Sequence, residues 1–481
     1  MRDITQPKPQ YPLYLANKAV ETGQWLEVTD KFSGKVVSQV AQADEKFLDQ
    51  AIEAAVNAEA AMAALKPYQK QQILLHCVER FKQRSEELAH ILVVEGGKPI
   101  AAAKAEVLRL ISTFQLAADA VTQMDQGVVM PLAVTKAAAQ YRGMTQRVPV
   151  GAVSLISPFN FPLNLTAHKI APAIVAGCPF VLKPASLTPI SAIIIGEVLA
   201  ETDLPMGAFS IMPCHRDAAD IMVTDDRFKL LSFTGSDQVG WDMKARSGRK
   251  KVVLELGGNA AVMLEDDANV DAALDRLIAG SFGQAGQVCI SVQRILVHEK
   301  IYAELKQKFV ARVQQLKAAN PALDDTVVGP MIKEKEAIRL KQWIDTAVEQ
   351  GAKRLTGGEL NGVMLEATVL ENVHPQTDIY QHEAFGPVVI LEPYAEFEAG
   401  LQRINDSRFG LQAGIYTNDL NKMFKAWDSL QVGGVIINDV PTFRVDNMPY
   451  GGVKDSGLGR EGIHAAVLDM TEERVLVIRQ A

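Results

Sequence analysis

The sequence predicts an α/β fold in two substantial domains. Three observations carry that prediction: the length, a helical amino-terminal stretch, and a change of texture near Val148. At 481 residues the chain exceeds the roughly 250–300 at which one core usually divides. Residues 48–116 are Ala-rich, with apolar positions three and four apart, the period of a helix with one buried face. Gly96-Gly97-Lys98-Pro99 punctuates that stretch. From Val148, short β-branched runs alternate with helical ones, as in a parallel sheet covered on both faces.

The alternation is read element by element. Val153-Ser154-Leu155-Ile156 predicts a strand, followed by a Pro-rich loop and a helix through Ile174. Phe180-Val181-Leu182 predicts the next strand and residues 190–202 the next helix. Phe209-Ser210-Ile211-Met212 and Leu230-Leu231-Ser232-Phe233 add two strands. A second alternation follows Leu256-Gly257-Gly258-Asn259. It holds Ala260-Ala261-Val262-Met263, a helix over 271–284, Arg294-Ile295-Leu296-Val297 and a helix over 301–317. Val435-Ile436-Ile437-Asn438 reads as a late strand. The apolar run Arg474-Val475-Leu476-Val477-Ile478 ends the chain as a strand whose edge needs covering.

Composition narrows the function. With 49 Lys+Arg against 57 Asp+Glu, the formal charge of −8 offers a polyanion no long-range attraction, so nucleic acid is not an expected partner. No apolar run is long enough to span a bilayer, so no membrane partner is expected. The four cysteines lack metal-ligand spacing and suit a reducing compartment, so no metal is expected and a cytoplasmic location is. The start, Met1 to Pro7, lacks the apolar core of a secretory leader.

Few residues carry a chemical signal. Gly457-Leu458-Gly459-Arg460-Glu461-Gly462 matches a dinucleotide fingerprint in letters alone; it has no preceding apolar strand, and the chain ends too soon after it. Ser232-Phe233-Thr234-Gly235-Ser236 is a better phosphate candidate, joining an apolar strand to a helix opening at Asp237. Among the cysteines, Cys77 and Cys178 sit in packing patterns, and Cys214 has no arguable partner. Cys289 follows Gly283-Gln284-Ala285-Gly286-Gln287-Val288, the polar, glycine-containing loop that a reactive thiol needs. Glu255, in Val252-Val253-Leu254-Glu255-Leu256, is either a functional carboxylate with a raised pKa or one half of a buried ion pair.

Seven segments in register resemble the aldehyde dehydrogenase superfamily. They are Pro158-Phe159-Asn160-Phe161-Pro162, Lys183-Pro184-Ala185-Ser186, Phe233-Thr234-Gly235-Ser236 and Glu255-Leu256-Gly257-Gly258, then Gly286-Gln287-Val288-Cys289, Glu383-Ala384-Phe385-Gly386-Pro387 and Pro449-Tyr450-Gly451-Gly452-Val453-Lys454-Asp455-Ser456-Gly457. Phe159 to Leu165 and Cys289 to Arg294 are most similar to the non-acylating, lactaldehyde-dehydrogenase-like branch.

The resemblance implies an aldehyde-dehydrogenase-like fold. A Rossmann-type NAD(P)-binding domain is expected from 1–118 and 146–258, and an α/β catalytic domain from 259–436. Oligomerisation segments are expected at 119–145 and 455–481, forming a β ribbon, with a substrate-tunnel loop at 437–454. A homodimer or homotetramer is expected. Cys289 would be the nucleophile, Asn160 an oxyanion-hole donor, Glu255 the base for hydrolysis and Lys169 a proton-relay group. NADP or NAD would be held by Ser157, Pro158, Phe159, Lys183, Ser186, Gly207, Phe233, Gly235, Ser236, Val239, Glu255, Leu256, Gly257, Glu383 and Phe385. NAD-preferring members usually carry Glu where this chain has Ser186, so a 2′-phosphate should be accommodated.

The expected substrate is a short hydroxylated or anionic aldehyde of the lactaldehyde, succinic semialdehyde or phosphonoacetaldehyde type. Arg109, Asn160, His168, Val288 and Arg444 are the candidates to contact it. Structural ion pairs are the alternative reading of Arg109 and Arg444. A CoA-acylating dehydrogenase and a non-catalytic scaffold are the alternative functions. Glu255 argues against the first, and the trio Cys289, Glu255 and Asn160 against the second.

Overall fold

A computed structural model of the chain describes residues 6–124 and 127–480. The reading of residues 1–5 as lacking an apolar leader therefore falls outside the described residues. So do 125–126 and 481 of the expected oligomerisation segments.

Two mixed sheets organise the chain. The first has eight strands in the order Gly457–Leu458, Lys251–Glu255, Leu230–Thr234, Val153–Ile156, Phe180–Lys183, Phe209–Ile211, Leu13–Leu15, Lys18–Val20. The five from Lys251–Glu255 to Phe209–Ile211 are parallel, and the outer strands run antiparallel. Its parallel part begins at Val153–Ile156, builds outward to Phe209–Ile211, then returns to lay Leu230–Thr234 on the other side. That reversal opens a crevice at the carboxyl ends of the strands, where open sheets of this type take ligands. The strand Val153–Ile156 and every residue of the helix Asn164–Ala176 are buried, including the polar Asn164, Thr166, His168 and Lys169. Gly177 closes this helix at φ +82, the left-handed cap for which glycine is suited.

The second sheet has seven strands in the order Lys353–Thr356, Thr368–Glu371, Val388–Tyr394, Val292–His298, Ala260–Leu264, Gln412–Tyr416, Gly434–Ile437. All pairings are parallel except that of Lys353–Thr356. A separate antiparallel ribbon joins Thr471–Arg479 to Tyr141–Pro149, and that strand to Val129–Met130.

The expected boundaries shift in three places. The helix Ile100–Met124 runs past residue 118, because it packs along the helices Pro67–Gln83 and Asn164–Ala176. The strand Tyr141–Pro149 crosses the expected break at 145/146. Gly457–Leu458 pairs with Lys251–Glu255, and the helix Ile463–Asp469 packs on Asn164–Ala176, so both belong with the cofactor sheet. Of the carboxyl-terminal segment, Thr471–Arg479 alone joins the ribbon.

Candidate active site

The loop carrying Cys289 is strained and pinned. Gln284, Ala285 and Gly286 all have positive φ, between +53 and +66. For the two residues with a Cβ this costs on the order of 1 kcal/mol each. A Cβ on Gly286 would fall 2.1 Å from the carbonyl oxygen of Gly386, so the turn admits no side chain there. The Gln284 amide donates to the carbonyl of Asn160. The Gln287 side chain donates to Pro330 O at 3.2 Å and accepts from Ile332 N at 2.9 Å. Gly258 lies so close beneath that a Cβ would come 2.3 Å from the Cys289 carbonyl oxygen.

Two cavities meet at this loop. One, of about 310 Å³, is lined by Arg109, Phe161, Glu255, Val288, Cys289, Thr442, Arg444, Tyr450 and Glu461 among others. The other, of about 780 Å³, runs from Cys289 and Glu255 past Asn160 and Glu383 to the helix opening at Asp237. The thiol and the carboxyl read from sequence therefore lie on the walls of both. Asn160 lines the larger cavity; its amide donates to Gln287 O at 3.1 Å, two residues before the thiol.

Glu255 is 3% exposed and neither of its carboxyl oxygens has a hydrogen-bond partner. Burial first, and then the negative charge of Glu461, push its pKa well above the usual carboxylate value. Both influences favour the protonated carboxyl over the ionised one. Burial likewise pushes the Cys289 thiol up to about 12, opposed by a hydrogen bond from Tyr450.

Behind Glu255 stands a charge cluster. Lys169 donates to Ser232 Oγ at 2.8 Å and lies 3.4 Å from Glu461, which also meets Arg444 at 3.1 Å. Burial alone would raise Glu461, but Lys169 and Arg444 outweigh it and hold the carboxyl below its ordinary value. Two basic side chains thus share one carboxylate, with burial lowering the pKa of Lys169. A second cluster pins the tunnel loop. Asp446 accepts from Arg109 at 2.7 Å, Asn164 at 3.0 Å and His168 at 2.9 Å.

The larger cavity fits a dinucleotide. Ser157, Pro158, Phe159, Phe233, Gly235, Ser236, Glu255, Leu256, Gly257, Glu383 and Phe385 lie on its wall. The helix Asp237–Arg246 opens there with no side chain capping its first N–H groups, which suits a pyrophosphate. Phe159 and Phe385 meet edge to face at 5.8 Å, and Phe385 is held at φ +50. Glu383 accepts from Gly258 N at 2.9 Å, and burial pushes its carboxyl up to about 8.

Several expected contacts are placed elsewhere. His168 is buried 2.9 Å from Asp446 and does not line the smaller cavity, and burial, then Arg444, lowers its pKa. Gly207 serves close packing: a Cβ there would meet the Ala54 carbonyl oxygen at 2.5 Å. Val239 packs into the core beside Phe233 and Leu256. Lys183 and Ser186 stand off the wall on either side of Ala185, with the Lys183 ammonium 3.4 Å from Pro184 O. Gly457 to Gly462 makes no phosphate loop; it carries Glu461 into the charge cluster. Glu461, Asp446 and Tyr450 were the residues that local pattern did not single out. Among the described residues, no group of His, Cys, Asp and Glu could hold a metal ion, and no helix is long and apolar enough to cross a membrane.

Known proteins share this fold. Aldehyde dehydrogenase 21 of Physcomitrella patens, solved in complex with the reaction product succinate, matches with TM-score 0.97 at 49% identity over 99% of each chain. The glyceraldehyde-3-phosphate dehydrogenase GapN of Methanocaldococcus jannaschii, solved with NADP, matches with TM-score 0.90 at 37% identity, over 95% of this chain and 99% of that one. In sequence, the 3-sulfolactaldehyde dehydrogenase of Priestia aryabhattai is 38% identical over 481 residues, 99% of this chain and 100% of the relative. The aldehyde dehydrogenase family model matches residues 18–476. The chain belongs to the aldehyde dehydrogenase family and is an enzyme of that class.

Proposed function

We propose that this enzyme oxidises a short aldehyde bearing a terminal anion to the carboxylic acid, through a thioester on Cys289, with NADP or NAD. The observation that carries the reading is the smaller cavity, which holds both Arg109 and Arg444 on the same wall as Cys289 and Glu255. Both arginines are ion-paired, yet Arg109 keeps 28% of its side chain exposed, and Arg444 shares the carboxylate of Glu461 with Lys169. The molecules in the names of the three relatives support the anion: succinate, glyceraldehyde-3-phosphate and 3-sulfolactaldehyde each end in one. Succinic semialdehyde is the first candidate, with hydroxylated aldehydes of the lactaldehyde type and phosphonoacetaldehyde next.

Cys289 Sγ bonds to the aldehyde carbon, and the Asn160 amide stabilises the oxyanion that forms. The bound dinucleotide supplies the hydride acceptor that turns this adduct into a thioester. Ser236 and the free N–H groups at Asp237 would hold its pyrophosphate. Ionised Glu255 then takes a proton from water, whose oxygen bonds to the acyl carbon as the C–S bond breaks. An unpartnered carboxyl beside the thiol makes water, not CoA, the acceptor. Ser186 places no carboxylate beside Lys183, so NADP is the favoured dinucleotide.

Val475, Leu476, Val477 and Ile478 are each about half exposed, and a second copy of the chain covers them in a homodimer or homotetramer, which sizing by light scattering checks. All four cysteines are free, in keeping with a cytoplasmic enzyme.

The test compares kcat/KM for succinic semialdehyde and butanal, with each dinucleotide. A charged hydrogen bond worth roughly 1.5–3 kcal/mol predicts about a 10- to 150-fold preference for the anion. Arg109→Gln should shrink that preference. Equal efficiencies for the two aldehydes would overturn the substrate reading.

A further inference from the structure

Tyr450 sits in the motif Pro449-Tyr450-Gly451-Gly452, and nothing above requires a hydroxyl on its ring. The ring is 3% exposed, and its oxygen lies 3.0 Å from Cys289 Sγ. The Arg444 guanidinium lies over the same ring, 3.7 Å from its centroid. We propose that Tyr450 is a further catalytic residue, whose phenol donates a hydrogen bond to the Cys289 sulfur and stabilises it as thiolate. The proposal rests on Cys289 being the nucleophile.

The geometry fixes the direction of the bond in the reactive state. A thiolate has no proton to give, so at 3.0 Å the phenol is the donor. Hydrogen bonds to an ionised partner are about twice as strong as neutral ones, so this contact favours thiolate over thiol. Burial raises Tyr450 well above its ordinary pKa, so the phenol keeps its proton. Burial also raises Cys289, and the Tyr450 hydrogen bond is the leading opposing influence, with Arg444 another. The guanidinium over the ring withdraws electron density and makes the phenol a better donor. Arg444 also lines the smaller cavity, so the cation offered to the substrate anion polarises the nucleophile's partner. When sulfur bonds to carbon its charge disappears, and the hydrogen bond weakens as the Asn160 amide takes up the new oxyanion.

The experiment follows alkylation of Cys289 by iodoacetamide across pH 6–10, read by peptide mass, in the full chain and in Tyr450→Phe. The variant keeps the ring and the stacked arginine, and dinucleotide binding by fluorescence reports its fold. The expected result is about a tenfold slower reaction at each pH across that range, the equivalent of a profile displaced upward by about one pH unit. The NADPH burst should show the same displacement, with KM for the dinucleotide unchanged. A superimposable alkylation profile overturns the proposal. If Tyr450→Phe fails to bind dinucleotide, the full chain made with 3-fluorotyrosine decides: its more acidic phenols should move the profile downward, and no movement overturns the proposal. Loss of the nucleophile reading itself looks different: Cys289→Ala would then still turn over.

Discussion

Glu106 ties the oxyanion donor to the rest of the fold, and replacing it tests that link. Its carboxylate is fully buried and pairs with the equally buried Lys98. It also accepts from Leu163 N at 2.9 Å and Asn164 N at 3.2 Å, at the start of the helix that follows Asn160. The Lys98 ammonium lies 3.9 Å above the ring of Phe161, next to Asn160. Glu106→Gln keeps an acceptor for the helix N–H groups but leaves a buried cation without its counter-charge. Breaking a buried pair from one side costs about 3–5 kcal/mol. The retained amide acceptor places the expected loss near the lower end, about 3 kcal/mol. Adding Lys98→Met removes the orphaned cation and should restore about 2 kcal/mol of that. The assay is denaturant unfolding of wild type, single and double variants, alongside kcat. Activity should fall about tenfold in both variants, since neither holds the Asn160 loop with a charged acceptor. Equal instability of the single and double variants would refute the reasoning, because an unpaired cation could not then be its source.

Two further outcomes follow from the charges around the cavities. The rate of thioester hydrolysis should rise with pH through an inflection well above the ordinary carboxylate range, because burial and Glu461 hold the Glu255 proton; Glu255→Gln should give one burst of NADPH and then stop, and steady turnover by that variant would remove Glu255 as the base. Burial alone would raise Asp446, but the hydrogen bonds from His168 and Arg109 outweigh it and hold its carboxyl far below the usual value. The stability it contributes is thus present above about pH 4 and lost as pH falls further. Asp446→Asn should cost about 2 kcal/mol at neutral pH and flatten this acid-sensitive loss, and an unchanged acid limb in urea titrations would contradict the pairing.

The parts of this site that the sequence makes legible violate a local pattern. Glu255 is a carboxylate inside an apolar strand, and Cys289 is a thiol after a loop with two glycines. The long alternating elements are legible for the converse reason: their burial demands the periodicity. Gln10–Tyr11, Leu13–Leu15 and Lys18–Val20 are too short to show a period. Val388–Tyr394 carries a strand signal of its own in the β-branched run Val388-Val389-Ile390 and Leu391. Glu461, Asp446 and Tyr450 sit in polar or glycine-rich segments where such residues break no rule. Their meaning arises only when Lys169, His168 and Cys289, far away in the chain, are folded against them.

That difference follows from how the fold distributes charge. Asp446 and Glu461 are both buried, and each is paired with one arginine that lines the smaller cavity, Arg109 and Arg444 respectively. The pairing holds both carboxylates ionised and fixes Arg109 and Arg444 in place. Glu255 is the buried carboxyl with neither oxygen partnered among the described residues. Pairing Glu255 as well would hold it ionised, and its charge would oppose both the approach of an anionic aldehyde and the formation of a thiolate at Cys289. Left unpaired beside an ionised Glu461, it is held toward its protonated form. In the proposed reaction it therefore adds little negative charge while the substrate docks and the Cys289 thiol gives its proton to solvent water and becomes charged. It can act as a base once the thioester has removed that charge. Burial comes first in holding the Glu255 proton, and the hold depends further on the charge of Glu461. Placing Glu461 on the strand–helix segment that caps Lys251–Glu255 builds this dependence into the sheet itself.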